Sequence, residues 1–138
     1  MRAAYLCAIA LFFVGVSASA VEPDPGIAAV TRIEGVAADA AKFDLDEGSQ
    51  TIIIKSREEA KKWFADEALR QLAGKVDFSK QFVLIFAWKG SGQDRMKVTI
   101  ADSYPEQALF KTDPGRTRDL RRHVAIYALR SNVKWKAQ

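Results

Sequence analysis

The segment WKGSGQDR, residues 88–95, places a serine between two glycines, directly after the most apolar run of the chain beyond residue 20. Ser91 could act as a nucleophile, with Asp94 and the single histidine, His123, as its partners. These three side chains within hydrogen-bond reach in a cleft would make a small hydrolase. A nucleophile elbow, however, needs Gly-x-Ser-x-Gly at a strand-to-helix turn, and this segment precedes a predicted strand. We expect a hairpin turn here and keep the hydrolase as an alternative.

Other site chemistries fit this segment and its surroundings poorly. A phosphate-binding loop needs glycines four residues apart, followed by Lys-Ser/Thr and a helix. A single histidine without thiols makes no zinc site. The acidic stretch from Asp44 to Gly48 lacks the spaced ligands and the terminal glutamate of an EF-hand. We expect no catalytic residues, no metal and no cofactor.

The densest basic run, RTRDLRR at residues 116–122, is the second candidate site. Such a run could bind phosphate, anionic glycan, lipid head groups or an acidic protein face. Alternatively, Arg116 and Arg118 lie in solvent while Arg121 or Arg122 pairs with the acidic N-terminal third. Nucleic acid is disfavoured because no aromatic side chains for base stacking are interleaved with these arginines.

Charge is distributed unevenly along the 138 residues, whose formal net charge is +4. Residues 21–50 contain seven acidic and two basic side chains, whereas residues 111–138 contain eight basic and two acidic ones. We expect the two ends to attract each other in the fold.

The first twenty residues, MRAAYLCAIALFFVGVSASA, have the pattern of a secretory signal peptide, with an early arginine, an apolar run and small residues before the cleavage point. We expect cleavage near Ala20-Val21 and a protein exported to the periplasm or secreted. Cys7, the only cysteine, would leave with this segment, so disulfides are not expected. A spanning helix needs about 20 apolar residues, so no membrane span is expected in the mature chain.

The order of elements predicts an α+β fold. After the signal peptide at 1–20, we predict an acidic N-terminal leader with a weak first strand at 21–48 and a core domain at 49–138. That core begins with a strand at 51–55. One amphipathic helix follows, and it starts at a capping box formed by Ser56 and Glu59.

Several strands follow this helix. Residues 82–88 are apolar on both faces, which is typical of a central strand. Residues 95–100 alternate polar and apolar side chains, and we predict that they form a hairpin with the central strand around the glycine turn. Strands at 123–130 and 132–136 complete the domain. The prediction is one amphipathic helix packed on an antiparallel or mixed sheet of five to six strands.

Three stretches carry a resemblance to a known family: IIIKS at 52–56 leading into a helix with Trp63, VDFSKQ at 76–81 before a strand, and Gly90-Ser91-Gly92. In these the chain resembles the PrcB C-terminal domain family over about residues 50–136, and it is similar to a related exported family of unknown function. Members of the first family look like stabilising partners of a bacterial protease complex. The resemblance implies a non-enzymatic exported domain that binds or stabilises a partner protein in the cell envelope.

The predicted contact surface combines the glycine turn with the arginine-rich start of the strand that contains His123. Its candidate partner-binding residues are Gly90, Ser91, Gly92, Asp94, Arg95, Arg118, Arg121, Arg122 and His123. The prediction requires that the fold bring residues 90–95 and 116–123 together. Placement at opposite ends of the molecule would contradict it.

Overall fold

A computed structural model of the chain describes residues 26–46 and 48–138. The predicted signal peptide at 1–20 and its cleavage point lie outside the described residues. Within these two ranges, no helix is both long enough and apolar enough to span a bilayer.

The described part contains seven strands, two short α-helices and one turn of 3-10 helix. The strands are β1 (Val30–Arg32), β2 (Gln50–Ile54), β3 (Gln81–Ser91), β4 (Arg95–Ala101), β5 (Gln107–Asp113), β6 (Leu120–Arg130) and β7 (Lys134–Ala137), the helices are α1 (Arg57–Ala60) and α2 (Asp66–Ala73), and the 3-10 turn is Ala40–Lys42.

These strands form two sheets. The first has the order β1-β6-β3-β2 and is antiparallel throughout, and the second has the order β4-β5-β7, with β5 and β7 parallel. β3 and β6 are the long central strands of the first sheet and pair from Gln81 opposite Arg130 to Ser91 opposite Leu120. The described fold is therefore mostly sheet with few helices. The predicted single sheet is wrong, because the strands divide between two.

Two apolar clusters cover the two faces of the first sheet. One packs both helices against alternate residues of β3, such as Val83 and Ile85. The other fills the space between the sheets, where the ring centroid of Phe110 lies 4.8 Å from that of Phe86 and 5.0 Å from that of Tyr127. Because successive side chains of a strand point to opposite faces, β3 needs apolar residues at nearly every position. This confirms the prediction of a central strand at 82–88.

The prediction of a single helix is wrong, because the structure has two short helices in its place. The first of them begins as expected, since Ser56 Oγ accepts a hydrogen bond from Glu59 N at 3.2 Å and Glu59 Oε2 accepts one from Lys55 N at 2.8 Å. α1 ends after one turn, and Ala65 is extended at the start of α2. The break lets Phe64 enter the first cluster while Trp63 stacks on Phe43.

The predicted hairpin between residues 82–88 and 95–100 is also wrong. β3 pairs with β2 and β6, whereas β4 pairs with β5 in the other sheet. The segment between β3 and β4 is thus a corner that carries the chain from one sheet to the other. The alternation predicted one face of β4 in the core, but only Met96 packs against the cluster between the sheets, and Val98 and Ile100 on the same face are exposed. The pattern also contained no information about the neighbouring strand.

The N-terminal segment belongs to the packed structure. β1 pairs with β6, and Ile33, Val36, Phe43 and Leu45 are buried in the same cluster as the helices. The acidic side chains between these positions face solvent. Packing in this structure therefore starts well before residue 49, where the sequence placed the beginning of the core domain.

Candidate functional site

The fold brings the two predicted segments together at one end of the first sheet. Ser91, the last residue of β3, lies opposite Leu120, the first residue of β6. The corner after β3 therefore stands beside the connection that leads into β6. We name residues 90–95 and 115–121 together the turn surface.

The Ser91 hydroxyl holds the two halves of the turn surface together. Its Oγ accepts hydrogen bonds from Thr117 N at 3.1 Å and from Gln93 N at 3.3 Å, and it lies 2.5 Å from Thr117 Oγ1. Either hydroxyl can donate in the Ser91–Thr117 bond, and in both cases the Ser91 hydroxyl is engaged by the two segments of the fold.

Asp94 makes a second connection between the segments. Its Oδ1 accepts a hydrogen bond from Gly115 N at 2.7 Å, and its Oδ2 accepts one from Trp88 Nε1 at 3.3 Å. Hydrogen bonds to an ionised carboxylate are stronger than those between neutral groups. The carboxylate thus attaches the corner both to the core tryptophan and to the connection after β5.

The glycines of this site are required for space. A Cβ on Gly90 would lie 1.9 Å from Asp94 Oδ2, and one on Gly92 would lie 2.3 Å from Asp119 Oδ2. A Cβ on Gly115 would meet Ser91 Oγ at 2.6 Å and the carbonyl carbon of Gln93 at 2.7 Å. Among the described glycines, positive φ occurs at two positions elsewhere in the chain. Glycine is therefore used in this turn for the close approach of the two segments and not for a positive φ.

Asp119 has the most perturbed carboxylate of the turn surface. Hydrogen bonds from the Thr117 hydroxyl and from Gly92 N, with the Arg121 guanidinium nearby, lower its pKa from 3.8 to about 2. The Gly92 N to Asp119 Oδ1 distance is 3.1 Å, and Arg121 Nε lies 2.5 Å from Asp119 Oδ2. All of these groups bind the charged form, so ionisation of Asp119 strengthens the junction.

Replacing Asp119 by asparagine should therefore destabilise the fold in a pH-dependent way. The folded-state pKa of Asp119, about 2, lies below its ordinary value of 3.8, so its contribution is complete above pH 3.8 and is lost as the pH falls toward 2. Urea unfolding of the wild type and of Asp119→Asn should show a difference that shrinks across this interval. Asp102→Asn, at an exposed site, is the matched control. A difference that stays constant with pH would contradict the assigned cause.

His123 does not form a triad with Ser91 and Asp94. Its Nε2 lies 2.7 Å from the Ser91 carbonyl oxygen, and its ring stacks on Trp88 with a centroid distance of 5.0 Å. A carbonyl accepts hydrogen bonds, so Nε2 carries the hydrogen and acts as a donor. A general base would instead have to accept a hydrogen from Ser91 Oγ. The geometry that the hydrolase alternative requires is not present among these three residues.

The arginines of the basic run divide into two groups. Arg116 and Arg118 are exposed and take part in no salt bridge within the described residues, and the same holds for Arg95 at the start of β4. Arg121 pairs with Asp119. Arg122 turns toward the N-terminal segment. Within the described ranges the turn surface therefore offers three exposed arginines without a salt bridge, of which Arg95 is attracted to Asp113.

Arg122 contacts the N-terminal third, where one of the sequence alternatives placed it, but through backbone carbonyl groups and without a salt bridge to a described acidic side chain. Its Nη1 lies 3.4 Å from the carbonyl oxygens of Ala40 and Phe43, at a cleft of about 740 Å³ lined by residues of that segment. Beside it, Lys89 Nζ lies 2.5 Å from Asp46 Oδ1. Hydrogen bonding and attraction to Lys89, with a further contribution from Arg122, lower the pKa of Asp46. The ion pair here comes from Lys89, which lies outside residues 111–138, so only the small contribution of Arg122 joins the two oppositely charged ends in the way the charge distribution predicted.

Four residues that organise the site were not selected from the sequence: Trp88, Gly115, Thr117 and Asp119. The available signal was an isolated threonine and an isolated aspartate within the arginine run, since both are short side chains suited to bonding backbone N–H groups. Their partners lie 25 or more positions away along the chain. Only the strand register identifies those partners.

No group of three or more histidine, cysteine or acidic side chains in the described ranges is arranged to hold a metal ion. Comparisons with protein families, with curated proteins and with solved structures found no match for this chain. The site is therefore interpreted from its own geometry.

Proposed function

We propose that this chain is a non-enzymatic exported domain and that its turn surface binds an acidic face of a partner protein in the cell envelope. The observation that carries the proposal is the exposure of Leu120. Its side chain is 74% exposed, and it stands at the start of β6 beside exposed arginines. A large apolar side chain surrounded by cations suits the centre of a small protein interface.

The hydrogen bonds within the turn surface support the proposal. The turn surface is held by the hydrogen bonds of Ser91, Asp94 and Asp119, each of which joins the corner after β3 to the connection before β6. A surface whose backbone is already ordered loses less conformational entropy on binding. Ser91 and Asp94, which the sequence offered as members of a catalytic triad, thus stabilise the backbone of a binding surface.

Charge supports an acidic partner. Arg95, Arg116 and Arg118 point into solvent without a salt bridge, while Asp94 and Asp119 are engaged in hydrogen bonds within the fold. Arginine is enriched at protein interfaces, where its planar group pairs with carboxylates. Complementary charge would also accelerate association with an acidic partner.

The test is affinity capture from an envelope fraction, followed by a binary binding measurement with the protein recovered. Arg116→Ala/Arg118→Ala/Leu120→Ser is the test variant. Its affinity should be at least about 30-fold weaker than that of the wild type, because central interface residues each contribute about 2 kcal/mol.

The matched control is Arg57→Ala/Lys75→Ala, which removes two exposed cations near the opposite end of β3. It should capture the partner as the wild type does. Equal capture by all three proteins would contradict the proposal. Equal loss in both variants would show that net charge, and no particular surface, controls binding.

A further inference from the structure

The outward face of the second sheet bears a line of cations that is separate from the core of the turn surface. In β4, β5 and β7, the side chains of Met96, Ala108, Phe110 and Trp135 point inward and pack in the cluster between the sheets. Side chains alternate along a strand, so their neighbours point outward. Those neighbours include Arg95, Lys97, Lys111, Lys134 and Lys136, all of them exposed.

The strand register arranges these five residues in a diagonal row. The row begins on β7, where Lys134 and Lys136 lie opposite Gln107 and Leu109 of β5. It continues on β5 with Lys111, two residues beyond Leu109. Lys97 of β4 lies directly opposite Lys111. Arg95 ends the row. Steps along a strand are about 6.7 Å and steps between strands about 4.8 Å, so the row extends over roughly 20–25 Å. We name these five residues the cationic track.

The fold does not need this arrangement. Like charges directly opposite each other in a sheet are destabilising, and Lys97 faces Lys111 in that way. Asp113 compensates Lys97, at 2.7 Å from its Nζ, and attracts Arg95 and Lys111 more weakly. Lys111, Lys134 and Lys136 have no salt bridge to any residue in the described ranges. Cations that the fold tolerates at a cost in stability are candidates for ligand contacts.

We propose that the cationic track binds a linear polysaccharide that carries carboxylate groups. A row of charges matches a linear polyanion. Lysine ammonium groups act as single point charges that suit isolated carboxylates. Thr99, Gln107 and Gln138 stand on the same face, where their hydroxyl and amide groups can bond sugar hydroxyls.

The shape of this face agrees with such a ligand. A trough of about 760 Å³ runs beside β5 and β7 and is lined in part by Leu109, Lys134, Lys136 and Gln138. Trp135 also lines this trough, but its ring packs against Phe86 between the sheets, and the outward positions of the three strands include no aromatic residue on which bases could stack. Single-stranded nucleic acid is therefore a poorer match than a chain of acidic sugars.

The test is titration of the purified protein with polygalacturonate, a linear polymer of carboxylated sugars, with neutral dextran as the comparison ligand. Lys111→Gln/Lys136→Gln should bind polygalacturonate about 25-fold more weakly than the wild type, since each lysine near a dense anionic surface contributes roughly fivefold. Wild-type affinity should fall between about 50 and 200 mM salt, and the loss should be smaller for the variant.

Arg57→Gln/Lys75→Gln, with the same change in charge away from the track, should keep wild-type affinity. Equal weakening in this control, binding of dextran, or no binding of polygalacturonate at low salt would each overturn the proposal. Tighter binding of duplex DNA or of phosphatidylserine vesicles through the same two lysines would assign the track to another ligand class. Both lysines lie outside the turn surface, so this result is independent of the partner experiment.

Thermal unfolding adds a readout that does not depend on any ligand. Lys111→Gln removes the repulsion with Lys97, so its Tm should equal or exceed that of the wild type. A Tm several degrees lower would show that the fold requires Lys111 and would overturn the argument for a ligand role.

Discussion

Replacing Phe110 by alanine is expected to lower the free energy of unfolding by about 3–5 kcal/mol, the range for a large aromatic removed from a packed core. Phe110 has no exposed surface, and its ring lies between Phe86 and Tyr127 of the other sheet. The second sheet has only three strands, and Phe110 is its largest fully buried side chain. Its loss removes two of the ring contacts between the sheets.

Urea unfolding followed by circular dichroism measures this effect. Leu109→Ala is the matched control, because Leu109 is the neighbouring residue on the opposite, outward face of β5. We expect the control to lose less than about 1 kcal/mol, as is usual for sites away from the core. Similar losses in both variants would contradict the assignment of faces in β5, and with it the packing of the two sheets.

Two glycine-to-alanine substitutions should change stability in opposite directions. In Gly115→Ala the new Cβ would lie 2.7 Å from the carbonyl carbon of Gln93, so the backbone of the turn surface must move. We expect a loss of about 1–3 kcal/mol, as for other overpacked sites. Partner binding should weaken as well, because the bond from Gly115 N to Asp94 would be disturbed.

Gly74→Ala is the control for this experiment. Gly74 ends α2 with φ −76° and ψ −14°, and a Cβ there would meet its nearest neighbour, the Gln71 carbonyl oxygen, at an ordinary 3.5 Å. Such a substitution stabilises by about 0.4–1 kcal/mol because it restricts the unfolded chain. Thermal unfolding of both variants is the measurement. A stabilised Gly115→Ala protein would show that the two segments do not approach each other as closely as the structure indicates.

The local elements could be predicted from the sequence because their signals are local. The capping box at Ser56 acts over three residues, and the run at 82–88 is apolar at every position because both faces of the strand are buried. The pairing of strands could not be predicted in the same way. The alternation in β4 is equally compatible with β3 or β5 as a neighbour, and the short connection after β3 favours a hairpin that the structure does not contain.

For the candidate site, too, residue types could be selected from the sequence, but the contacts between those residues could not. Ser91, Asp94 and the arginine run could be selected from residue type, but their roles depend on partners more than 20 positions away along the chain. A serine between glycines is compatible with a catalytic nucleophile or with a residue whose hydrogen bonds hold two segments of the fold together. The hydrogen bonds to Thr117 and to the backbone decide between them here. The cationic track is a further case, since its residues come from three strands that are separated in sequence.

By itself, the sequence determined where strands occur, where the first helix starts and how charge is distributed between the two ends of the chain. All three depend on side-chain types within a few neighbouring positions. The tertiary structure alone decided that the strands form two sheets, that the corner after β3 stands beside the start of β6, and that lysines from three strands form one row. The physical reason is that strand register sets these contacts, and register depends on packing between segments far apart in the chain.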